Sequence, residues 1–547
     1  MKKTVEDALR AALKSLGVEP PGYIEVSVPR EEAHGDLSTP IAMGLAKEMR
    51  KPPRKIAEEI AARLPEAGAF EKAEIAGPGF INFFFRTEFL HSLLSELLRK
   101  GRDFLRTDIG RGRRVLVEFV SANPTGPLHL GHGRGAAVGA ALSNLLEAGG
   151  YKVTREYYIN DAGLQVKLLG HSAFARYKEL LSVEYPFPED GYRGGYVEEI
   201  ARAAAEKVGG KYREAAYEDA EEFFVGFSLA MMLHDIERDL GDFGIAFDNW
   251  QSERELYRSG EVRRALDFLK ARGSIYEAQG ALWFKATDFG DEKDRVLIKG
   301  DGSHTYFASD IAYHKKKIEG GYDELINIWG SDHHGYIPRM KAVLQALGYD
   351  PESLTVLLVQ MVSLLRAGKP VSMSKRAGEF VTLREVMEEV GADTTKFIFL
   401  TRRPDSHLSF DLEEAKAASA ENPVFYVQYA VARINSIFAH AREQGVAEGE
   451  AAGASFGPLA EDEETRIIRK LLSYPMTFES AVRSREPHRI TFYLQELAGM
   501  FHPYYNRHRV VTGDRALTLA RLSLCQAVME VLKDGLEVLG VAAPERM

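Results

Sequence analysis

Ala122-Asn123-Pro124-Thr125-Gly126-Pro127-Leu128-His129-Leu130-Gly131-His132 is the stretch on which the reading of this chain turns. The residues before it, 114–120, form a short apolar run typical of a buried strand, and the alanine-rich run 131–148 behind it has the composition of a helix. Proline and glycine crowd the connection between them. A tight loop from strand to helix is where open α/β sheets bind ligands. The helix N-terminus offers unpaired N–H groups and partial positive charge, which suit a phosphate chain. His129 and His132 lie on the same first turn, where imidazole N–H groups can donate to phosphate oxygens as charge builds during transfer. Gly131 between them leaves room for a flat base or a ribose to approach the backbone. Two other readings stay open here: a zinc site using both histidines, and a loop in which they are incidental.

Working outward, the apolar runs 325–329 and 355–362 bracket a helical stretch at 337–347. Strand–helix alternation on both sides of the motif predicts a parallel sheet with helices on its faces. Gly330-Ser331-Asp332-His333-His334 emerges from the edge of one such strand. A metal site from Asp332, His333 and His334 is disfavoured, because adjacent side chains on an extended segment point to opposite faces. Further on stands Lys369-Pro370-Val371-Ser372-Met373-Ser374-Lys375-Arg376-Ala377-Gly378. A glycine-flanked loop bearing a lysine can close over a triphosphate and neutralise a leaving pyrophosphate; the bland alternative is a solvated Lys-Arg pair.

With 547 residues the chain is too long for one core. We expect an α/β protein in three parts: an N-terminal α+β domain with a linker helix over 1–105, a Rossmann-type parallel-sheet domain over 106–382, and an all-α helical bundle over 383–547. The first part carries the turn Gly77-Pro78-Gly79 and the strand that follows it. A charged, mostly helical insertion is expected at about 158–288. No apolar run reaches the roughly 20 residues that span a bilayer, and the first 17 residues read as an amphipathic helix, not a signal peptide. The single cysteine, Cys525, rules out an intramolecular disulfide and a cysteine-based zinc site, and suits a reducing cytoplasm. Seventy Lys and Arg against 80 Asp and Glu give a net charge of −10, which argues against a generic polyanion binder. Local basic patches are still compatible with nucleic acid.

The His-x-Gly-His motif and the lysine loop, in this order and at this separation, resemble the paired signatures of class I aminoacyl-tRNA synthetases. The resemblance implies that His129, His132 and Lys375 are catalytic, and that Gly131, Asp332, Met373 and Ser374 bind ATP, with Asp332 on the ribose hydroxyls. One departure stands in the lysine loop, where Ser372 occupies the place of the family's first lysine.

Within that class the chain is similar to bacterial-type arginyl-tRNA synthetases over nearly its whole length. Ser121 to Gly126 and Trp329-Gly330-Ser331-Asp332-His333-His334-Gly335-Tyr336 carry the likeness, with His34-Gly35-Asp36 near the start and Asn422-Pro423-Val424-Phe425-Tyr426-Val427-Gln428-Tyr429-Ala430 opening the helical part. What this implies is the formation of arginyl-adenylate from L-arginine and ATP with Mg2+, then transfer to the 3′-terminal adenosine of tRNA(Arg), by a monomer in the cytoplasm. Tyr306 and Asp310, one helical turn apart, are expected to bind the guanidinium with Glu253 as a second carboxylate, since a guanidinium calls for forked hydrogen bonds. Glu118, Asn123 and His334 are expected at the α-amino and carboxylate end. No metal-ligating residue is assigned. For tRNA, the basic stretch 466–515 offers Arg485, Arg489, Arg507 and Arg509, with Tyr504 as a stacking ring; the alternative is that its aromatics are bundle core. Rival readings are another class I synthetase and an inactive synthetase-like RNA-binding protein.

Overall fold

The computed structural model describes residues 1–29, 31–65, 68–371, 381–419, 421–447 and 449–547. They divide into two compact units: Met1–Thr107 with Phe425–Glu537 and Ala542–Met547, and Asp108–Val424 with Val538–Val541.

The second unit is built on a five-stranded, all-parallel sheet in the spatial order Leu354–Val359, Glu324–Gly330, Arg114–Glu118, Lys152–Ile159, Asn249–Ser252. In chain order this is the Rossmann arrangement. The first strand, Arg114–Glu118, therefore stands at the topological switch point beside Glu324–Gly330. Both strands are rich in Val, Leu and Ile because helices cover the sheet. The His-motif helix, Leu130–Ala148, packs its small face on the sheet; a Cβ at Gly139 would lie 2.2 Å from the Phe119 ring.

Three expectations are corrected. The insertion is helical through Leu164–Leu180, Gly195–Val208 and Tyr217–Asp242, which share a core of Phe174, Tyr177, Ile200 and Phe224. It then supplies Asn249–Ser252, the edge strand of the main sheet, and a three-stranded antiparallel sheet of Ile275–Ala278, Ala281–Phe284 and Arg295–Ile298. Asn-Trp-Gln-Ser has no apolar run and pairs on one side only, so nothing in its composition signals a strand. Second, the stretch 383–424 groups with the sheet unit: Leu383–Val390 and Ala392–Phe399 pack on the His-motif helix. Third, that stretch is not purely helical, because Leu408–Asp411 pairs in parallel with Val362–Arg366.

The first unit joins the N-terminal α+β module to the C-terminal helices. Its antiparallel sheet places Phe80–Phe85 between Leu37–Thr39 and Phe70–Ala76. Gly79, at φ +147°, has no room for a side chain, since a Cβ would lie 2.9 Å from the Pro53 backbone. The helices Pro423–Glu443, Asp462–Ser484, His488–Arg507 and Arg515–Val538 follow. Among the described residues no helix is long and apolar enough to cross a membrane.

Candidate functional site

At the end of Arg114–Glu118 the chain turns through Val120 at φ +67° and Ser121 at φ +39°. A β-branched residue in the left-handed region is a local strain, and such strain survives only where neighbours hold it. Ser121 Oγ donates to Glu118 Oε1 at 3.0 Å and accepts from the Tyr158 N–H at 3.1 Å. The loop beyond is fastened from outside by three further bonds. Tyr157 Oη donates to Ala122 O at 2.9 Å, Tyr196 Oη to Thr125 O at 2.9 Å, and Leu383 N to Leu128 O at 2.7 Å. Asn123 Nδ2 donates to Gln165 Oε1 at 2.8 Å, so at this loop the sheet meets the insertion.

His129 is the N-cap of its helix. Its Nδ1 accepts from Gly131 N at 3.1 Å and His132 N at 3.4 Å, and His132 Nδ1 accepts from His129 N at 3.4 Å. The rings stack with centroids 3.7 Å apart. With both Nδ1 atoms accepting, a neutral ring carries its proton at Nε2. Gly131 is required by this pair as well as by any ligand: a Cβ there would lie 3.0 Å from the His129 ring.

Arg134, one turn on, is fully buried and donates to the carbonyls of Gln360, Ser406 and Arg403 at 2.8–2.9 Å. Burial pushes its guanidinium down to about 10, so it remains charged at neutral pH. Gln360 in turn accepts at Oε1 from Ser331 Oγ at 2.9 Å, which ties the Gly330 turn to the same frame. Residues Ser331–Tyr336 form a 3-10 helix and not the extended segment assumed above, so Asp332, His333 and His334 do not alternate between faces. The Asp332 carboxylate is 83% exposed, with His333 Nε2 3.6 Å away, and His334 is exposed too. Among the described residues, the group of three metal-ligating side chains that converges is Glu461, Glu463 and His508, in the other unit.

Beside this crevice the helix Tyr306–Glu319 presents Asp310 and Ser309 toward the short helix Glu253–Arg258. Ser309 Oγ donates to Glu253 Oε1 at 2.7 Å. The Asn160 amide, in the orientation that satisfies its neighbours, donates to Glu253 Oε2 at 2.7 Å. Tyr336 Oη donates to Asp310 Oδ2. Burial pushes Glu253 up to about 7, and the nearby Asp310 carboxylate adds to the rise. Burial likewise pushes Asp310 up to about 6, against the Tyr336 hydrogen bond. Among the described residues neither carboxylate forms an ion pair. Lys317 and Arg339 act on Asp310 only from beyond ion-pair distance, and two partly desolvated acids with no cation in direct contact are a ready site for a guanidinium, which can bond both through its fork. Tyr306 is 58% exposed at the start of this helix, with its hydroxyl near Gly163.

The same helix holds what the sequence reading missed. Lys317, Tyr313 and His314, with Glu156 and Asn327 from the neighbouring strands, form a buried polar network around Glu118. Burial alone would raise Glu118, but the Lys317 ammonium at 2.5 Å holds it below the usual carboxylate range. The available signal was a polar residue inside each strand, Asn327 in Leu-Ile-Asn-Ile-Trp and Glu156 in Arg-Glu-Tyr-Tyr; core strands rarely carry one without use. Met373, Ser374 and Lys375 lie outside the described residues. The chain after them does return to the motif: Thr382 bridges His129 and caps the next helix with Glu385.

The family model described as "tRNA synthetases class I (R), catalytic domain" matches residues 93–438. "Arginyl tRNA synthetase N terminal domain" matches 3–85 and "DALR anticodon binding domain" matches 427–547. The arginine–tRNA ligase of Syntrophotalea carbinolica is 52% identical over 96% of this chain and 95% of its own. The chain belongs to the arginyl-tRNA synthetase family. The arginine–tRNA ligase of Citrifermentans bemidjiense is also 52% identical, again over 96% of this chain and 95% of its own. The solved arginyl-tRNA synthetase of Thermus thermophilus superposes with a TM-score of 0.79 at 25% identity, covering 100% of both chains.

In this synthetase the C-terminal helices change the reading of the basic stretch. Tyr504 is 1% exposed, with its hydroxyl 3.1 Å from Glu464 Oε1, so it is core and presents no face to a base. Its position on the inner side of His488–Arg507 outweighs the polar residues that follow it. Tyr493 and Phe501 are buried as well. The arginines are largely paired: Arg489 with Glu486 at 2.5 Å and Arg507 with Glu463 at 2.8 Å. Arg485 caps its helix at φ +57°, and Arg509 is exposed. The exposed aromatic ground is elsewhere. Arg433 lies 4.6 Å from the ring centres of both Tyr429 and Tyr505, each of which is 37% exposed.

Proposed function

We infer that this chain is an arginine–tRNA ligase: it joins L-arginine to ATP as arginyl-adenylate, releasing pyrophosphate, and transfers the arginyl group to the 3′-terminal adenosine of tRNA(Arg), releasing AMP. The observation that carries the amino-acid assignment is the pair Glu253 and Asp310, two neighbouring carboxylates, the first bonded by Ser309 and the second by Tyr336, that burial raises together. An acidic substrate would be repelled there, and a neutral one would leave both acids unmatched.

In this reading arginine lies along the helix Tyr306–Glu319. Its guanidinium is at Glu253, Asp310 and Tyr306, and its α-amino and carboxylate end at Glu118, Asn123 and His334. ATP lies over Gly131, with Asp332 on the ribose and Met373 and Ser374 alongside; Mg2+ arrives with its phosphates. The arginine carboxylate attacks the α-phosphate in line, and the bond to pyrophosphate breaks. The His129 and His132 Nε2–H donors and the Lys375 ammonium meet the charge that builds on the phosphate oxygens. A hydroxyl of the terminal adenosine then attacks the activated carbonyl and AMP leaves. Positioning and charge stabilisation suffice, so no enzyme side chain becomes covalently attached.

The tRNA reading uses the exposed Tyr429, Arg433 and Tyr505 as a stacking platform, with Arg485, Arg489, Arg507 and Arg509 near the phosphates. A cytoplasmic monomer completes the proposal, organised as an N-terminal α+β domain, a sheet domain that takes in the stretch 383–424, and a C-terminal helical domain. The test is ATP–pyrophosphate exchange with each amino acid, with and without tRNA(Arg). Exchange with arginine alone among the amino acids is expected; equal exchange with lysine or glutamate refutes the assignment.

A further inference from the structure

The helix that carries Tyr306 and Asp310 also carries Lys317, two turns beyond Asp310 on the same face. Lys317 is 3% exposed. Its Nζ lies 2.5 Å from Glu118 Oε2, 3.2 Å from Asn327 Oδ1 and 3.8 Å from Glu156 Oε1, and 4.0 Å from the Tyr313 ring centre. Asn327 Nδ2 donates to His314 Nε2 at 2.9 Å, and His314 Nδ1 donates to the Asp310 carbonyl at 2.9 Å. Tyr313 Oη donates to Glu156 Oε1 at 2.6 Å. The groups around the ammonium thus come from four elements: Glu118, Glu156 and Asn327 from three adjacent strands, and Tyr313 and His314 from its own helix. His314 is kept neutral, since burial pushes its imidazole down to about 4.

We propose that Lys317 is a positioning residue for the amino end of the substrate, holding Glu118 ionised and in one rotamer so that the site selects an α-ammonium over an uncharged group. The proposal rests on the reading of this crevice as an arginine site. A buried carboxylate with no cation takes up a proton and turns to a different partner; a protonated Glu118 could not tell an ammonium from a methylene. The chain Lys317–Asn327–His314–Asp310 also fixes the distance between the two ends of the pocket along one helix, which suits an amino acid of one length.

The test is calorimetric binding, to the full chain, of L-arginine, of the guanidino acid that lacks its α-amino group, and of ATP. Wild type should prefer arginine to the des-amino acid. Lys317→Met should reduce that preference by about tenfold or more, the scale of one lost charge-assisted hydrogen bond. It should also move the acid limb of arginine binding to higher pH, and leave the des-amino acid and ATP within a few-fold. The double variant Glu118→Gln with Lys317→Met should show the same preference as Glu118→Gln alone, because the lysine acts through the glutamate. A folded Lys317→Met chain with the wild-type preference overturns the proposal. Where Lys317→Met fails to melt cooperatively, the double variant, which leaves no unpaired charge at this pair, decides: a preference different from Glu118→Gln alone overturns it. Failure of the arginine-site reading looks different, since wild type would then bind norleucine as well as arginine.

Discussion

His129 and His132 cap each other across the first turn of their helix, each ring accepting a backbone N–H at Nδ1, with 16° between the stacked ring planes. One ring therefore has two duties: it ends the helix, and it presents an Nε2–H donor. The duties separate in His129→Asn. Asparagine is among the best N-caps, so the melting temperature should stay within a few degrees. Its short amide does not reach the position of Nε2, and loss of one transition-state donor costs about 3 kcal/mol, roughly a hundredfold in rate. We expect ATP–pyrophosphate exchange to fall by that factor with arginine affinity little changed. Exchange within threefold of wild type would remove His129 from the chemistry.

The Glu253 and Asp310 pair predicts how arginine binding depends on pH. Their carboxyls sit at about 7 and about 6, raised chiefly by burial. A raised carboxylate pKa means that the folded chain holds extra protons between the ordinary carboxylate range and these values; the associated stability is full at low pH and is lost as pH rises through the raised values. A bound guanidinium favours the ionised forms, so binding must expel those protons. Arginine affinity should rise from about pH 5.5 to about pH 8, and the thermal stabilisation by arginine should be larger at the upper end. Calorimetry in two buffers of different ionisation enthalpy would detect the released protons. A dissociation constant that is flat across this range would sink the coupling.

Charge, more than shape, is what Asp310 contributes. Asp310→Asn keeps the volume and can keep the Tyr336 partner, but sets an amide N–H2 against a guanidinium N–H. An uncompensated buried cation costs about 3–5 kcal/mol, so arginine KM should rise a hundredfold or more while ATP KM stays within a few-fold. An arginine KM close to wild type would remove Asp310 as a reader of the guanidinium.

Legibility in the sequence followed periodicity and punctuation. The helix at 337–347 and the turn at Gly77 to Gly79 show because apolar spacing and Pro/Gly placement are local signals. The His motif and the Gly330 turn show because they follow two apolar strands, Arg114–Glu118 and Glu324–Gly330, at the point where the strand order of the sheet reverses. Asn249–Ser252 does not show, because an edge strand takes its structure from its neighbour. Lys317 does not show either: a lysine on a helix is usually solvated, and only the strands folded beneath it reveal that this one is buried against Glu118. The basic stretch misleads for the converse reason. Its local excess is met by acids distant in the chain, such as Asp36 with Arg469 at 2.6 Å and Glu450 with Arg515 at 2.5 Å.

Tyr504 and Tyr505, adjacent in sequence, should respond to mutation in opposite ways. Tyr504 is core and its hydroxyl meets Glu464, which also binds Arg521 at 2.7 Å. Tyr504→Phe removes one hydroxyl from that buried group, and the expected cost is about 1–2 kcal/mol of stability with no change in the KM for tRNA. Tyr505 is partly exposed and shares the Arg433 guanidinium with Tyr429. Tyr505→Ala should leave the melting temperature within a few degrees and raise the KM for tRNA by about five- to a hundredfold, the range of one lost base–aromatic stack. Exchange activity with ATP and arginine should be unaffected in both, since neither ring belongs to the catalytic unit. Thermal melts and aminoacylation kinetics on the two variants separate the cases. A tRNA KM that moves with Tyr504→Phe and not with Tyr505→Ala would mean that bases reach the bundle by another face, and that the Tyr429–Arg433–Tyr505 platform serves only to pack the surface.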